Sequence, residues 1–228
     1  MALPVFRLDL DVADSLGRRF FPAALIVQED RNLVMGATRV LEEERDAEAV
    51  RRQADGFDPQ RLGHFVLVGP RSDPPHWIYR AVVQDLERRP SCRPGDVRHC
   101  LAAVLEDAAS RGLKLVASEP LGVWRSSGLA LPEVAEAFNG AICDVLGKLP
   151  VPFRLTVLVR DMETLEESSR LFRAALLRRA SRSFHSVSDN EAVVEARCGG
   201  RPFQFHFVPG ALSGYLVTNR FAARAEIS

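Results

Sequence analysis

The chain has 228 residues, of which 46% are hydrophobic and 26% are charged, and its formal net charge is zero. This composition is typical of a globular protein, and the balanced charge gives no indication of a nucleic-acid or membrane-surface partner. Arginine outnumbers lysine 28 to 2, which we interpret as compositional bias. The N-terminal residues carry acids where a signal peptide needs an apolar run, so we expect a cytoplasmic protein.

The first third of the chain contains three strand-like stretches. "AALIV" (23–27) and "HFVLVG" (64–69) are short apolar runs that predict buried strands, and "WIYRAVVQDL" (77–86) alternates as a longer strand does. Between the first two, the charged segment 38–54 predicts an exposed helix. A hairpin centred on residues 30–32 is an equally good interpretation, and the sequence does not decide between them.

The segment 94–176 alternates between helix and strand patterns. A first helix begins at Pro94 and carries one apolar stripe. The strand "LKLVAS", a glycine-containing loop and a helix that starts at Pro132 come next. The strand "FRLTVLV" then precedes a third helix that Asp161 can cap. Short loops between alternating elements predict an α/β protein with a layered sheet. The stripe of the first helix consists of Val97, Cys100, Leu101, Val104, Leu105 and Ala108.

The last fifty residues have a different character. A basic, serine-rich link, "RRASRSFHSVSDN", precedes two β-type runs that flank Gly199 and Gly200, which is a turn suited to a hairpin. We therefore predict a main domain over residues 1–177 and a basic linker with a β-rich extension over residues 178–228.

No pattern of catalytic or metal-binding residues stands out. The four cysteines form no C-x-x-C pair and have no zinc-type spacing to histidines. No G-x-S-x-G, P-loop or H-E-x-x-H motif is present. We therefore expect no metal site, no cofactor and no catalytic residue.

The stretch "SEPLGVWRSSGL" (118–129) is the feature that points to a ligand. It lies between a buried strand and a helix that begins with proline, where backbone N–H groups and the helix N-terminus favour anions. The surrounding helix, strand, glycine loop and proline helix resemble the second half of a macro domain, and the resemblance extends over residues 23–176. It implies a three-layer α/β/α mixed sheet of macro-domain-like topology with a C-terminal β-hairpin extension. A more distant resemblance is to the N-terminal domain of leucine aminopeptidases, whose activity we do not expect from a chain of this length.

The resemblance assigns candidate site residues. Two features depart from the family pattern: Arg125 stands where its second loop glycine falls, and Gln28 stands where an asparagine is expected. A weaker, opposing loop is implied at Gln28, Asn32 and Gly36. The phosphate loop is implied at Gly122, Val123, Trp124, Arg125, Ser126, Ser127 and Gly128.

The expected function is therefore binding of a small nucleotide-type ligand that resembles ADP-ribose, without ADP-ribosyl hydrolysis. Hydrolysis is not expected because the asparagine and glycine run of the opposing loop are missing. The alternative is a macro-like scaffold that binds a protein partner, through the C-terminal hairpin or the arginine-rich end of the third helix. We expect no membrane and no nucleic-acid partner.

Overall fold

A computed structural model of the chain describes residues 5–13, 21–35, 59–123, 128–150, 152–179, 183–187, 192–198 and 201–209. The alternative interpretations of residues 38–54 lie outside these ranges. The strands are β1 (Val5–Val12), β2 (Ala24–Asp30), β3 (His64–Val68), β4 (Trp77–Gln84), β5 (Leu115–Ser118), β6 (Phe153–Val159), β7 (Ser183–Val187), β8 (Ala192–Cys198) and β9 (Arg201–Pro209). The long helices are α1 (Pro94–Ser110), α2 (Leu131–Val145) and α3 (Met162–Arg179), and a 3₁₀ turn (Leu146–Lys148) follows α2.

The nine strands form one mixed sheet in the order β3-β4-β2-β5-β6-β1-β9-β8-β7. Strands β4, β2, β5, β6, β1 and β9 run parallel to one another, so their carboxyl ends share one edge of the sheet. β3 is antiparallel to β4, and β8 is antiparallel to both β9 and β7.

Helices α1, α2 and α3 form a layer on one face of this sheet. The steps from β4 to β5, from β5 to β6 and from β6 to β7 all move towards the same edge, and right-handed crossovers then place all three helices on one face. The apolar stripe predicted for α1 is fully buried in the shared core, as are Phe138 of α2 and Phe172 of α3, whose rings meet edge to face at 5.7 Å. Periodicity therefore identified the faces that pack together.

The predicted layered α/β fold with a mixed sheet and a C-terminal β extension is confirmed. Two details differ from the expectations. β3 is not a buried strand: it is the antiparallel edge of the sheet, and both His64 and Val68 are exposed. The extension has a third strand, because β7 lies in the serine-rich stretch that we expected to be a link.

Among the helices that the structure describes, none combines the length and apolar character that a membrane span requires.

Candidate functional site

The candidate site is the crevice between the carboxyl ends of β2 and β5. The chain leaves β2 towards β4 and β3, whereas it leaves β5 in the opposite direction, towards β6. In open α/β sheets such a reversal opens a crevice at the carboxyl ends of the two strands, where ligands characteristically bind. The loop after β5 (residues 119–130) and the turn after β2 therefore flank this crevice.

Gln28, near the end of β2, is bonded to the loop after β5. Its Nε2 donates a hydrogen bond to the carbonyl oxygen of Val123 at 2.9 Å, and its Oε1 accepts one from the Gly122 N–H at 3.1 Å. The Gln28 N–H donates to Oε2 of Glu119 at 3.4 Å. The two segments that the resemblance placed opposite each other are thus in direct contact, over 94 and 95 residues of sequence.

Gly122 makes the turn that begins the loop. Its φ is +92°, in the left-handed region that glycine adopts without steric cost. A Cβ atom here would lie 2.8 Å from Leu129 Cδ1, 3.1 Å from Val97 Cγ2 and 3.2 Å from Cys92 Sγ. Glycine is therefore required both by the backbone conformation and by the lack of space.

Most backbone N–H groups in the first part of the loop already have partners within the protein. The Glu119 N–H donates to Ile26 O at 3.1 Å, the Gly122 N–H donates to Gln28, and the Val123 N–H donates to Pro120 O at 3.5 Å. At the far end of the loop, the Leu129 N–H donates to Gly122 O at 2.8 Å. A phosphate bound here would therefore not find its backbone donors at Glu119, Gly122 or Val123.

The N-terminus of α2 lies directly after the loop and carries an acidic side chain. The Ala130 N–H donates to Glu133 Oε2 at 2.9 Å, and the Glu133 N–H donates to Ala130 O at 2.9 Å. This carboxylate stabilises the helix end, and its charge opposes that of an anionic ligand at the same place.

The side chains that pack below the loop are apolar, and the thiol of Cys92 among them is neutral. Burial raises the pKa of the Cys92 thiol to about 12. Cys92 is therefore protonated at neutral pH and packs against the loop instead of serving as a nucleophile.

The predicted site residues divide into three groups. Gln28 and Gly122 are buried and bonded to each other, and Val123 is exposed beside them. Gly128 and Asn32 are half-buried, and no hydrogen bond within the described residues joins Asn32 to the loop. The remaining candidates lie outside the described residues: Trp124, Arg125, Ser126, Ser127 and Gly36.

Sequence reasoning missed two contributions to the site. It did not predict that both ends of the Gln28 carboxamide are bonded to the β5–α2 loop. It also overlooked Glu133, for which only a weak signal existed: a glutamate three residues after the helix cap, which here is Ala130 rather than the usual serine or threonine. Within the described residues, no cluster of histidine, cysteine or acidic side chains has the arrangement of a metal site.

No protein-family model matches the chain, and no curated protein matches it. Solved macrodomain structures do match the chain in fold. A mutant macrodomain of Oceanobacillus iheyensis with ADP-ribose has a TM-score of 0.53 at 14% identity, covering 75% of this chain and 92% of its own. The Trypanosoma brucei macrodomain in complex with ADP has a TM-score of 0.50 at 16% identity, covering 74% of this chain and 68% of its own. The macro domain of ganglioside induced differentiation associated protein 2 has a TM-score of 0.50 at 14% identity, covering 73% of this chain and 84% of its own.

The fold is therefore macro domain-like. At these identities, the similarity concerns the arrangement of helices and strands, and the ligand has to be argued from the residues of this chain.

Proposed function

We propose that this protein binds a nucleotide-type ligand resembling ADP-ribose in the crevice between β2 and β5, and that it does not hydrolyse ADP-ribosyl bonds. The observation that carries the proposal is the glycine-turned loop at the carboxyl end of β5, beside β2 at the point where the direction of the connections reverses. Two similar structures, from O. iheyensis and T. brucei, contain ADP-ribose and ADP.

We assign the phosphates to the part of the loop after Val123, up to Gly128. Gly122 and Val123 shape the turn, because their own N–H groups are already donated to Gln28 and to Pro120. Arg125, Ser126 and Ser127 supply a guanidinium and two hydroxyl groups by their chemistry, and a guanidinium can bond two phosphate oxygens at once.

The proposal that hydrolysis is absent rests on Gln28. In the macro domains that the sequence resembles, an asparagine that contributes to the ligand site is expected at this position. Here both ends of the Gln28 carboxamide bind the loop backbone instead. The side chain is therefore already engaged and does not position water or ribose.

Isothermal titration of the full chain with ADP-ribose, ADP and AMP tests the proposal. We expect ADP-ribose and ADP to bind and AMP to bind more weakly, because AMP lacks the second phosphate that the loop would hold. Incubation with an ADP-ribosylated protein should release no ADP-ribose. Absence of heat at millimolar ADP-ribose would contradict the proposal and favour the protein-binding scaffold, and release of ADP-ribose would contradict its non-catalytic part.

A further inference from the structure

We propose that Gln28 is the positioning residue of this site, which holds the first part of the β5–α2 loop, residues 119–123, against β2 and so fixes where the ligand-binding part of the loop begins. The inference rests on the proposed function for its ligand-binding readout. The contact itself is independent of any ligand.

The Gln28 carboxamide matches two adjacent groups of the loop backbone. The Gly122 N–H donates to Gln28 Oε1 at 3.1 Å, and the Val123 carbonyl oxygen accepts a hydrogen bond from Gln28 Nε2 at 2.9 Å. At neutral pH, a carboxamide of this length offers a donor and an acceptor side by side. Leucine would offer neither, and a carboxylate would place negative charge against the Val123 carbonyl.

Two contacts of Glu119 extend the same attachment back to the end of β5. The Glu119 N–H donates to Ile26 O at 3.1 Å, which continues the pairing of β5 with β2 beyond the end of the strand. The Gln28 N–H in turn lies 3.4 Å from Glu119 Oε2. Together with the two carboxamide bonds, these contacts fix where the chain leaves the sheet.

The attachment lies beneath the loop and does not occupy the place of a ligand. Gln28 is 7% exposed and Gly122 is buried, whereas the side chain of Val123 is 40% exposed. A Cβ on Gly122 would point into Leu129, Val97 and Cys92, which belong to the core. Gln28 therefore supports the loop from the core side, and its removal should weaken binding rather than free a site.

The variants Gln28→Leu and Gln28→Glu test this role. Leucine removes both carboxamide bonds at similar volume, and glutamate keeps the acceptor for Gly122 while losing the donor for Val123. The matched control is Asn139→Leu. Asn139 is a buried carboxamide in α2 whose Nδ2 donates to Ala135 O at 2.9 Å and to Phe172 O at 3.1 Å, and both of these acceptors lie in helices. Its substitution should lower stability without touching the loop.

Two measurements are made on each variant: amide hydrogen exchange at Gly122 by NMR, and affinity for ADP-ribose by calorimetry. In Gln28→Leu we expect Gly122 exchange to accelerate about tenfold or more and affinity to fall about tenfold, because two hydrogen bonds are lost. In Gln28→Glu, affinity should recover as the pH is lowered from about 8 to about 5. Burial of this position and the neighbouring Glu119 carboxylate raise the pKa of the introduced carboxyl group, whose protonated form can again donate to Val123. Asn139→Leu should change neither quantity by more than its loss of global stability explains.

The two readouts separate the inference from the proposed function. Unchanged exchange at Gly122 in Gln28→Leu would overturn the inference whether or not the wild-type protein binds ADP-ribose. Faster exchange with unchanged or tighter binding would also overturn it, because the loop would then need no positioning. Faster exchange in a protein whose wild type binds no ADP-ribose would contradict the proposed function and leave the attachment of the loop established.

Discussion

Gly122 turns the chain out of β5 at a φ of +92° and leaves no room for a side chain. A substitution here therefore acts on folding as well as on the ligand. A bulky Gly122 variant that lost ligand binding would not prove that the loop touches the ligand, because the loop itself would be displaced. Substitution of Gly122 is better used to measure how much the backbone conformation and the lack of space at this turn affect the free energy of unfolding.

The comparison of Gly122→Ala with Gly112→Ala separates backbone strain from crowding. Gly112 also has a positive φ, +72°, but a Cβ there would meet nothing within 4 Å. We expect Gly112→Ala to lower the free energy of unfolding by about 1 kcal/mol, from strain alone. Gly122→Ala should lower it by about 3 kcal/mol, because the methyl group also overpacks the core beside Leu129. Urea denaturation measures both, and equal losses would show that the space around Gly122 relaxes freely.

At the scale of elements, the N-terminal cap that the sequence predicted for α3 is present in the structure. Asp161 was predicted as its cap, and Asp161 Oδ1 accepts hydrogen bonds from the Thr164 N–H at 2.9 Å and from the Thr164 hydroxyl at 2.7 Å. These bonds, with that from Arg160, lower the pKa of Asp161 to about 2. The cap is thus a charged group whose contribution depends on pH.

Because the pKa of Asp161 is lower in the folded chain than its ordinary value of 3.8, its contribution to stability is complete above that value. The contribution is lost as the pH falls towards about 2. Asp161→Ala should therefore lower the melting temperature at pH near 6, and the difference from wild type should shrink as the pH approaches 2. Thermal unfolding across this range measures it, with Asp73→Ala, an exposed aspartate between β3 and β4, as the control. A difference that stayed constant with pH would contradict the role of the charged cap.

Elements with their own periodicity could be predicted from the sequence, and elements defined by their neighbours could not. The stripe of α1 from Val97 to Ala108 repeats every three to four residues, and all six predicted members are buried. "HFVLV" is equally apolar, yet it forms the edge strand β3, because an apolar run does not reveal whether a second strand will pair with it. β7 was overlooked because its serines and its histidine carry no strand pattern.

At the scale of the whole molecule, the site depends on a sheet order that no local pattern encodes. The loop after β5 could be located from its strand, glycine and proline helix. Its attachment could not, because Gln28 reaches it only after β2 and β5 become neighbours through pairs such as Ile26 with Ser118. The contact between Gln28 and the β5–α2 loop therefore follows from the order of the strands rather than from a sequence motif.

The C-terminal strands enlarge the same sheet on the side away from the site. β9 pairs in parallel with β1, so the six strands from β3 to β1 and the three C-terminal strands are continuous. The crevice lies among the first six, between β2 and β5. We therefore expect the extension to influence the site only through β1 and β6.

The most direct test of the binding site is a paired charge substitution, Val123→Asp and Val68→Asp. The two valines have nearly equal exposure, 40% and 41%. Val123 lies in the loop after β5, whereas Val68 ends β3, whose antiparallel direction places it at the opposite edge of the sheet. Isothermal titration with ADP-ribose should show about tenfold or greater loss of affinity for Val123→Asp, because a carboxylate would repel the diphosphate, and unchanged affinity for Val68→Asp. Equal affinities for both variants and the wild type would contradict the assignment of the ligand to this loop.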